Sequence, residues 1–448
     1  MSTFWVAVLL ITEFVLFAVA YINFKRDFVS PSVVTLFFFI LSTACCLYGL
    51  SDWKNVVFTY KAYLLFTTSF ILMIITENFV FKRKIVKGSR KKICLKMNDP
   101  FNQVIYIPEP VDTLLFIVFI SLSFYYIYKV YKTGMELGAT GLFSTIGVNK
   151  EKGNYDALSR LAFNLVRMAS YIYAVMVSHN IICCGNKIKK NIKGILIIIA
   201  TLLITFFSGQ RSTLICYAIG VVVAASIALH DSAKFKKKNV NKKFMKKLFI
   251  IGIVAIGIFY LSSNIVKGTN VERKFVEYIT YYFGSTTALM GCIVEDPSLC
   301  HTPFAGYFGE KTFNGFWNTM YSWGFVDVEP ATRAWIKMGS HVETRAGNEY
   351  TFFCGPYIDF GFVGTLIFIV CFYAFFSHIY YHGIMKKNIS LKRVSISAVY
   401  IFLYAMIAMA FYQDTIRSYS RPINILYIVY IIVFCKIFIK FRRNERTT

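Results

Sequence analysis

The chain has 448 residues, of which 56% are apolar, 18% aromatic and only 16% charged, with a formal net charge of +26. Its apolar residues come in long blocks instead of interleaving with charge, which excludes an ordinary soluble domain and points to a membrane protein. The basic excess sits in short runs that abut those blocks, as in Lys234 to Lys247, an arrangement suited to anionic headgroups rather than to nucleic acid.

A bilayer crossing needs about 20 mostly apolar residues. Eleven segments read as crossings: 4–22, 31–50, 61–81, 111–131, 161–182, 194–208, 212–229, 248–266, 357–380, 394–411 and 423–440. The first resembles a signal peptide at Ala18-Val19-Ala20, but no positive charge precedes it and Lys25 and Arg26 follow it. It therefore reads as a retained span with its N-terminus outside. Eleven crossings then place 23–30, 82–110, 183–193, 230–247, 382–393 and 441–448 inside, and these hold well over half of the 49 Lys and Arg. The positive-inside rule supports that orientation. The predicted fold is all-α and polytopic, a single membrane domain over 1–448 with one long outer loop at 267–356. The spans read as nearly charge-free.

At the joint of the sixth and seventh segments lies "FFSGQRS", where Arg211 interrupts lipid-compatible sequence. A lone intramembrane arginine costs roughly 2.5–3.5 kcal/mol, so it snorkels, marks a turn, or works. A turn there places Arg211 at the N-terminus of the next helix, where the helix dipole adds positive charge.

The long loop opens with Val271 to Met290, whose Val271, Phe275, Tyr278, Ile279 and Tyr282 share one helical face. Such a helix either lies along the membrane boundary or packs on the bundle. Cys292 and Cys300 follow, facing an oxidising space, and a disulfide between them is an open expectation. The other cysteines show no CxxC pair and no zinc spacing with histidine, so no metal and no cofactor are expected. Trp317, Trp323 and Trp335 suit either interfacial anchoring or stacking on sugar rings.

Outward-facing arginines gather in the same half of the sequence: Arg333 and Arg345 in the loop, Arg417 and Arg421 in "YQDTIRSYSRP". If the spans bundle, these and Arg211 can meet near the outer headgroups, where arginine's planar fork suits a diphosphate. Candidate acid–base groups beside them are His341, Glu343, Glu349, Asp359 and Asp414. His341 and Arg345 share a face if that stretch is helical.

"FFSGQRS", "TPFAGYFGEKTF" and "AGNEYTFFCGPYIDFGFVGTL" together resemble the bacterial O-antigen and capsule repeat-unit polymerases, the Wzy group. The resemblance covers about a quarter of the chain and implies a GT-C-like fold. It implies a glycosyltransferase of the bacterial inner membrane, active on the periplasmic face without nucleotide sugars. Such an enzyme transfers a glycan from undecaprenyl diphosphate to the next lipid-linked repeat unit, with membrane lipids and a chain-length regulator as partners. Arg211 matches the family's turn arginine and would hold the donor diphosphate. Asn348, Tyr350, Asp359 and Gly361 match the motif that closes the loop. Arg333, His341 and Arg345 fall in the region of the family's basic loop residues. An O-antigen ligase and a lipid-linked oligosaccharide transporter are the alternatives, the latter disfavoured by charge-poor spans and a long loop.

Overall fold

The computed structural model describes residues 2–89, 103–152, 156–235, 275–300, 304–331, 336–337, 346–347, 349–385 and 389–443. In chain order these form α1 (Ser2–Asn23), α2 (Pro31–Gly49), α3 (Tyr60–Ser89), β1 (Gln103–Tyr106), α4 (Glu109–Glu136), α5 (Leu142–Lys152), α6 (Ala157–Ile182), α7 (Ile192–Phe207) and α8 (Arg211–Phe235). Then follow α9 (Phe275–Glu295), α10 (Asn314–Ser322), β2 (Ile336–Lys337), β3 (Ala346–Gly347), α11 (Cys354–His378), α12 (Leu391–Leu403), α13 (Ala405–Ala408), α14 (Thr415–Tyr419), α15 (Ile423–Phe438) and β4 (Lys440–Arg443).

Nine helical segments among the described residues are long and apolar enough to cross a membrane, and the chain is an all-α polytopic membrane protein. They coincide with nine of the eleven expected crossings. The eighth, 248–266, lies outside the described residues, and the eleventh is α15, whose 16 residues fall short of a full crossing.

The chain divides into two compact units, one of residues 1–92, 273–382 and 405–426, the other of 93–272, 383–404 and 427–448. In the first unit α2 is the central post. Pro31 occupies its first turn, where the missing N–H costs nothing. The cap comes from another helix: Glu77 of α3 accepts from the Ser32 amide at 2.7 Å and the Ser30 hydroxyl at 2.5 Å. The Tyr381 hydroxyl donates to the same carboxylate at 2.8 Å, while Tyr380 donates to Asp27 at 2.6 Å. These tyrosines lie in a π-helical turn, Ile379–Ile384, that continues α11. Glu13 of α1 is also fully buried, accepting from Thr43 at 3.0 Å. The spans remain poor in charge, and Glu13 and Glu77, the acids noted here, are buried with hydrogen bonds from neighbouring hydroxyls.

Along α2 runs α9. A Cβ on Gly284 would lie 2.5 Å from the backbone of Cys45 and Cys46, so only glycine permits this approach. The Ser42 hydroxyl donates to the Phe283 carbonyl at 2.7 Å. Of the two placements weighed for this helix, packing on the bundle is the one found, with its residues from Gly284 to Val294 buried. Cys292 is a buried free thiol, its sulfur taking the Val57 amide at 3.4 Å, so the Cys292–Cys300 bridge does not form.

The second unit packs α6 against α7, α8, α4 and α12. Gly220 of α8 faces the Tyr171 ring and the Ile401 carbonyl, and the Ser170 and Tyr217 hydroxyls pair. Strands β1 and β4 form an antiparallel ribbon from Gln103↔Arg443 to Tyr106↔Lys440. Asn180 clasps its open edge, donating to the Ile105 carbonyl at 2.7 Å and accepting the Ile105 amide at 3.0 Å. Arg393 and Asp231 form a buried ion pair beside His179.

At the start of α6, Asp156 accepts from the Ser159 amide at 2.6 Å and pairs with Lys129 at 3.1 Å. The Ser159 hydrogen bonds, then Lys129, hold its carboxyl down at about 2.

Candidate functional site

In the first unit, the stretch before α11 does not approach it as a surface loop. Phe352 and Phe353 sit among Phe39, Phe66 and Phe70 and reach Phe372 and Tyr373 of α11 itself. Residues 349–353 therefore run back alongside the helix they precede. The chain turns at Cys354, rises in a short helical stretch to Phe360 and reverses at Gly361, whose φ of 67° and ψ of −167° break the helix. Tyr357 on the rising arm donates to the Val294 carbonyl at 3.2 Å. The Phe352 amide donates to the Ala410 carbonyl at 2.9 Å, in the turn between α13 and α14 just beyond the end of a crossing. Irregular backbone at membrane depth is tolerated only where protein buries it or a cavity meets it.

Two carboxylates fix the segment above this re-entrant arm. Glu310, 1% exposed, accepts from four backbone amides: Ala305 at 3.2 Å, Gly306 at 3.0 Å, Tyr307 at 3.4 Å and Ala331 at 2.5 Å. Asp359, on the arm itself, accepts from the Lys311 amide at 3.1 Å and from the Thr312 amide and hydroxyl at 2.7 and 2.6 Å. Between them the backbone of 305–312 has little freedom left. Directly after it, Gly315 of α10 seats on α14. A Cβ there would fall 2.0 Å from the Arg417 carbonyl and 2.9 Å from Arg421 Cγ. The clamp thus brings Asp359, Arg417 and Arg421 onto one short piece of chain, with buried Asp414 Oδ2 close to Gly355.

Tyr350, 4% exposed, begins the re-entrant stretch. Arg333, His341, Arg345 and Asn348 lie outside the described residues. Asp359 has both oxygens engaged by the 311–312 loop, so its observed role is to position that loop. Glu310 was missed by sequence reasoning. Its signal is the pair of glycines around it: Gly306 and Gly309 both have positive φ, 86° and 62°, as a backbone folded around a carboxylate requires.

The second unit holds Arg211. The α7 helix ends at Phe207, Gly209 turns the chain with φ of 69°, and Gln210 accepts from the Thr213 and Leu214 amides. Arg211 is half-buried in the first turn of α8. The joint predicted from "FFSGQRS" is thus a tight helix-to-helix turn. On neighbouring α6, the Ser170–Tyr217 pair sets a register that places Arg167 beside the first turns of α8. Its Nε is buried without a hydrogen-bond partner, and its Nη2 donates to Asn164 at 3.1 Å. Arg167 was also missed, although a lone arginine inside an apolar segment is the signal that singled out Arg211.

Chemically, each unit offers guanidinium groups on a backbone fixed by short-range contacts, the arrangement suited to holding phosphate oxygens. Comparison of the chain with family models, with curated proteins and with solved structures returns no match.

Proposed function

We propose that the chain is a glycosyltransferase that joins undecaprenyl-diphosphate-linked oligosaccharide repeat units into O-antigen or capsular polysaccharide. On this reading it acts at the periplasmic face of a bacterial inner membrane, as the Lys and Arg asymmetry suggests. The observation that carries the reading is Arg211, held in the first turn of α8 behind the Gly209 turn. Breaking the sugar–phosphate bond places growing charge on a diphosphate, and fixed cationic donors stabilise that charge. In the other unit, Arg417 and Arg421 lie against α10 on a backbone fixed by Gly315. Asp359 is here a positioning residue, and His341 and Arg345 remain the proposed catalytic residues.

A transporter of lipid-linked oligosaccharides is the second reading. It is favoured by the crossing broken at Gly361 and by the buried Glu13 and Glu77. Purified protein in proteoliposomes, given undecaprenyl-diphosphate-linked repeat units and no nucleotide sugar, separates them. The expected result is a ladder of longer lipid-linked glycans with released undecaprenyl diphosphate. Arg211→Ala should slow it by a factor on the order of 10² to 10³, about 2–4 kcal/mol of transition-state stabilisation. Arg211→Lys should do nearly as much damage, because an ammonium lacks the bidentate fork. Product forming only when lipid A core is supplied would make the protein a ligase. Redistribution of the lipid-linked unit across the bilayer without bond formation would end the enzyme reading.

A further inference from the structure

We propose that the segment 304–328 is a bilayer-docking tip, with Phe308, Trp323, Phe325 and Val328 seated in the boundary between headgroups and acyl chains. These side chains are 77%, 59%, 71% and 54% exposed. A soluble loop rarely displays so large a group of apolar side chains, because each loses the benefit of leaving water. Between Thr312 and Val326 the sequence carries no charged residue, while aromatic residues alternate with Asn, Thr and Ser. That composition suits the membrane interface, where aromatic rings meet both apolar and hydrated surroundings.

The backbone presents these residues rather than letting them collapse. Glu310 fixes the approach, and α10 closes on Gly324 at φ of 74°, with the Phe325 amide donating to the Met320 carbonyl at 2.9 Å. This closure sets Phe325 beside Trp323, ring centroids 6.3 Å apart. The occupant is identified by continuity. Phe308 packs on Phe360 at 5.3 Å, one residue before Gly361, and Phe362, Val363 and Ile367 then form an exposed stripe on the membrane-crossing α11. The tip extends that lipid-facing stripe outward.

The tryptophans consequently part company. Trp317 has one face stacked on Tyr307 at 4.7 Å and its indole N–H on the Phe308 carbonyl, so it is built into the fold. Trp323 points to the bilayer. This inference rests on membrane embedding alone and is independent of the polymerase reading.

The test compares the native protein with Trp323→Phe, a conservative change at an exposed ring, in phosphatidylcholine–phosphatidylglycerol vesicles. Fluorescence is quenched by lipids brominated near the headgroup end of the acyl chain, or by iodide in the water. Trp323 is one of five tryptophans, so the variant should lose roughly a fifth of the emission, and that missing fraction should be the bromolipid-quenched one. If the missing fraction is instead quenched by iodide, the tip stands in water, as a glycan platform or protein-binding face would, and the proposal fails. Quenching by neither reagent would place Trp323 against other protein and overturn it equally.

Discussion

The two units solve the same problem, packing helices in a membrane, in different ways. In the second unit α4, α6, α7 and α8 are regular, and the approach of Gly194 on α7 is filled by the side chains of Val177 and Tyr173. In the first, Gly284 and Gly315 meet backbone directly, α11 breaks at Gly361 and turns π-helical beyond His378, and 349–353 runs back beside α11. Regular helices satisfy their own amides, so an irregular unit must find partners for each freed group. The first unit does so with Glu77, Glu310 and Asp359. The lesson is that carboxylates here chiefly replace backbone partners, and that irregularity is concentrated in the unit that holds Asp359, Arg417 and Arg421, while Arg211 sits in the regular one.

That contrast can be broken most sharply at the glycines. Gly284→Ala and Gly315→Ala should each cost more than about 3 kcal/mol, since a methyl at 2.0–2.5 Å from backbone cannot be relieved by rotating a side chain. Gly194→Ala meets side-chain atoms at 2.7 Å and should cost about 1 kcal/mol. Thermal melts in detergent that rank Gly194→Ala with the other two would dissolve the distinction between the units.

Next in size is Glu310→Ala, which leaves four amides without their acceptor and should cost about 2–4 kcal/mol. Glu310→Gln keeps one acceptor oxygen and should fall between the variant and the native protein. A melt unchanged by Glu310→Ala would show that the 305–331 segment does not depend on this carboxylate. Gly361→Ala should cost about 1–3 kcal/mol, because a Cβ there meets open space and only the backbone, in a region nearly restricted to glycine, is strained. A neutral result would mean the reversal is not held in this conformation.

The smallest effect belongs to the regular unit. Asp156 is held at about 2, below the roughly 3.9 of an unfolded aspartate. Its contribution is therefore complete above about pH 4 and lost as pH falls through about 2. Asp156→Ala should flatten acid sensitivity in that window and leave the melt at pH 7 only slightly lowered, given the exposure of the pair. A large drop at pH 7 would place more weight on this cap than its surface position allows.

Much of this architecture was legible from hydropathy, because nine crossings are long and apolar enough to announce themselves. The Arg211 turn was legible too, since a glycine two residues before a lone arginine marks both a helix end and a start. What failed to show is what lipid-based reasoning undervalues. Helix α9 reads as a loop helix because its Thr, Ser, Gly and Tyr residues are polar by composition, yet they serve close packing and hydrogen bonds such as Thr286 to the Phe411 carbonyl at 2.7 Å. The re-entrant arm was hidden because "TFFCGPYIDF" is apolar enough to extend the adjoining crossing. Its reversal depends on a single glycine. Asp359 was legible as a motif residue, while its partners, two amides and a hydroxyl on Lys311 and Thr312, are a tertiary fact with no local pattern.

The ribbon joining β1 to β4 has a consequence in time rather than in space. Its register pairs Gln103 with Arg443, so a strand made early during synthesis must wait for one made near the opposite end of the sequence. On the edge that β4 does not take, Asn180 holds Ile105 by both its amide and its carbonyl, so β1 is tied to α6 independently of its partner strand. The membrane insertion machinery would thus release a unit whose last stitch is closed only after α15 has emerged.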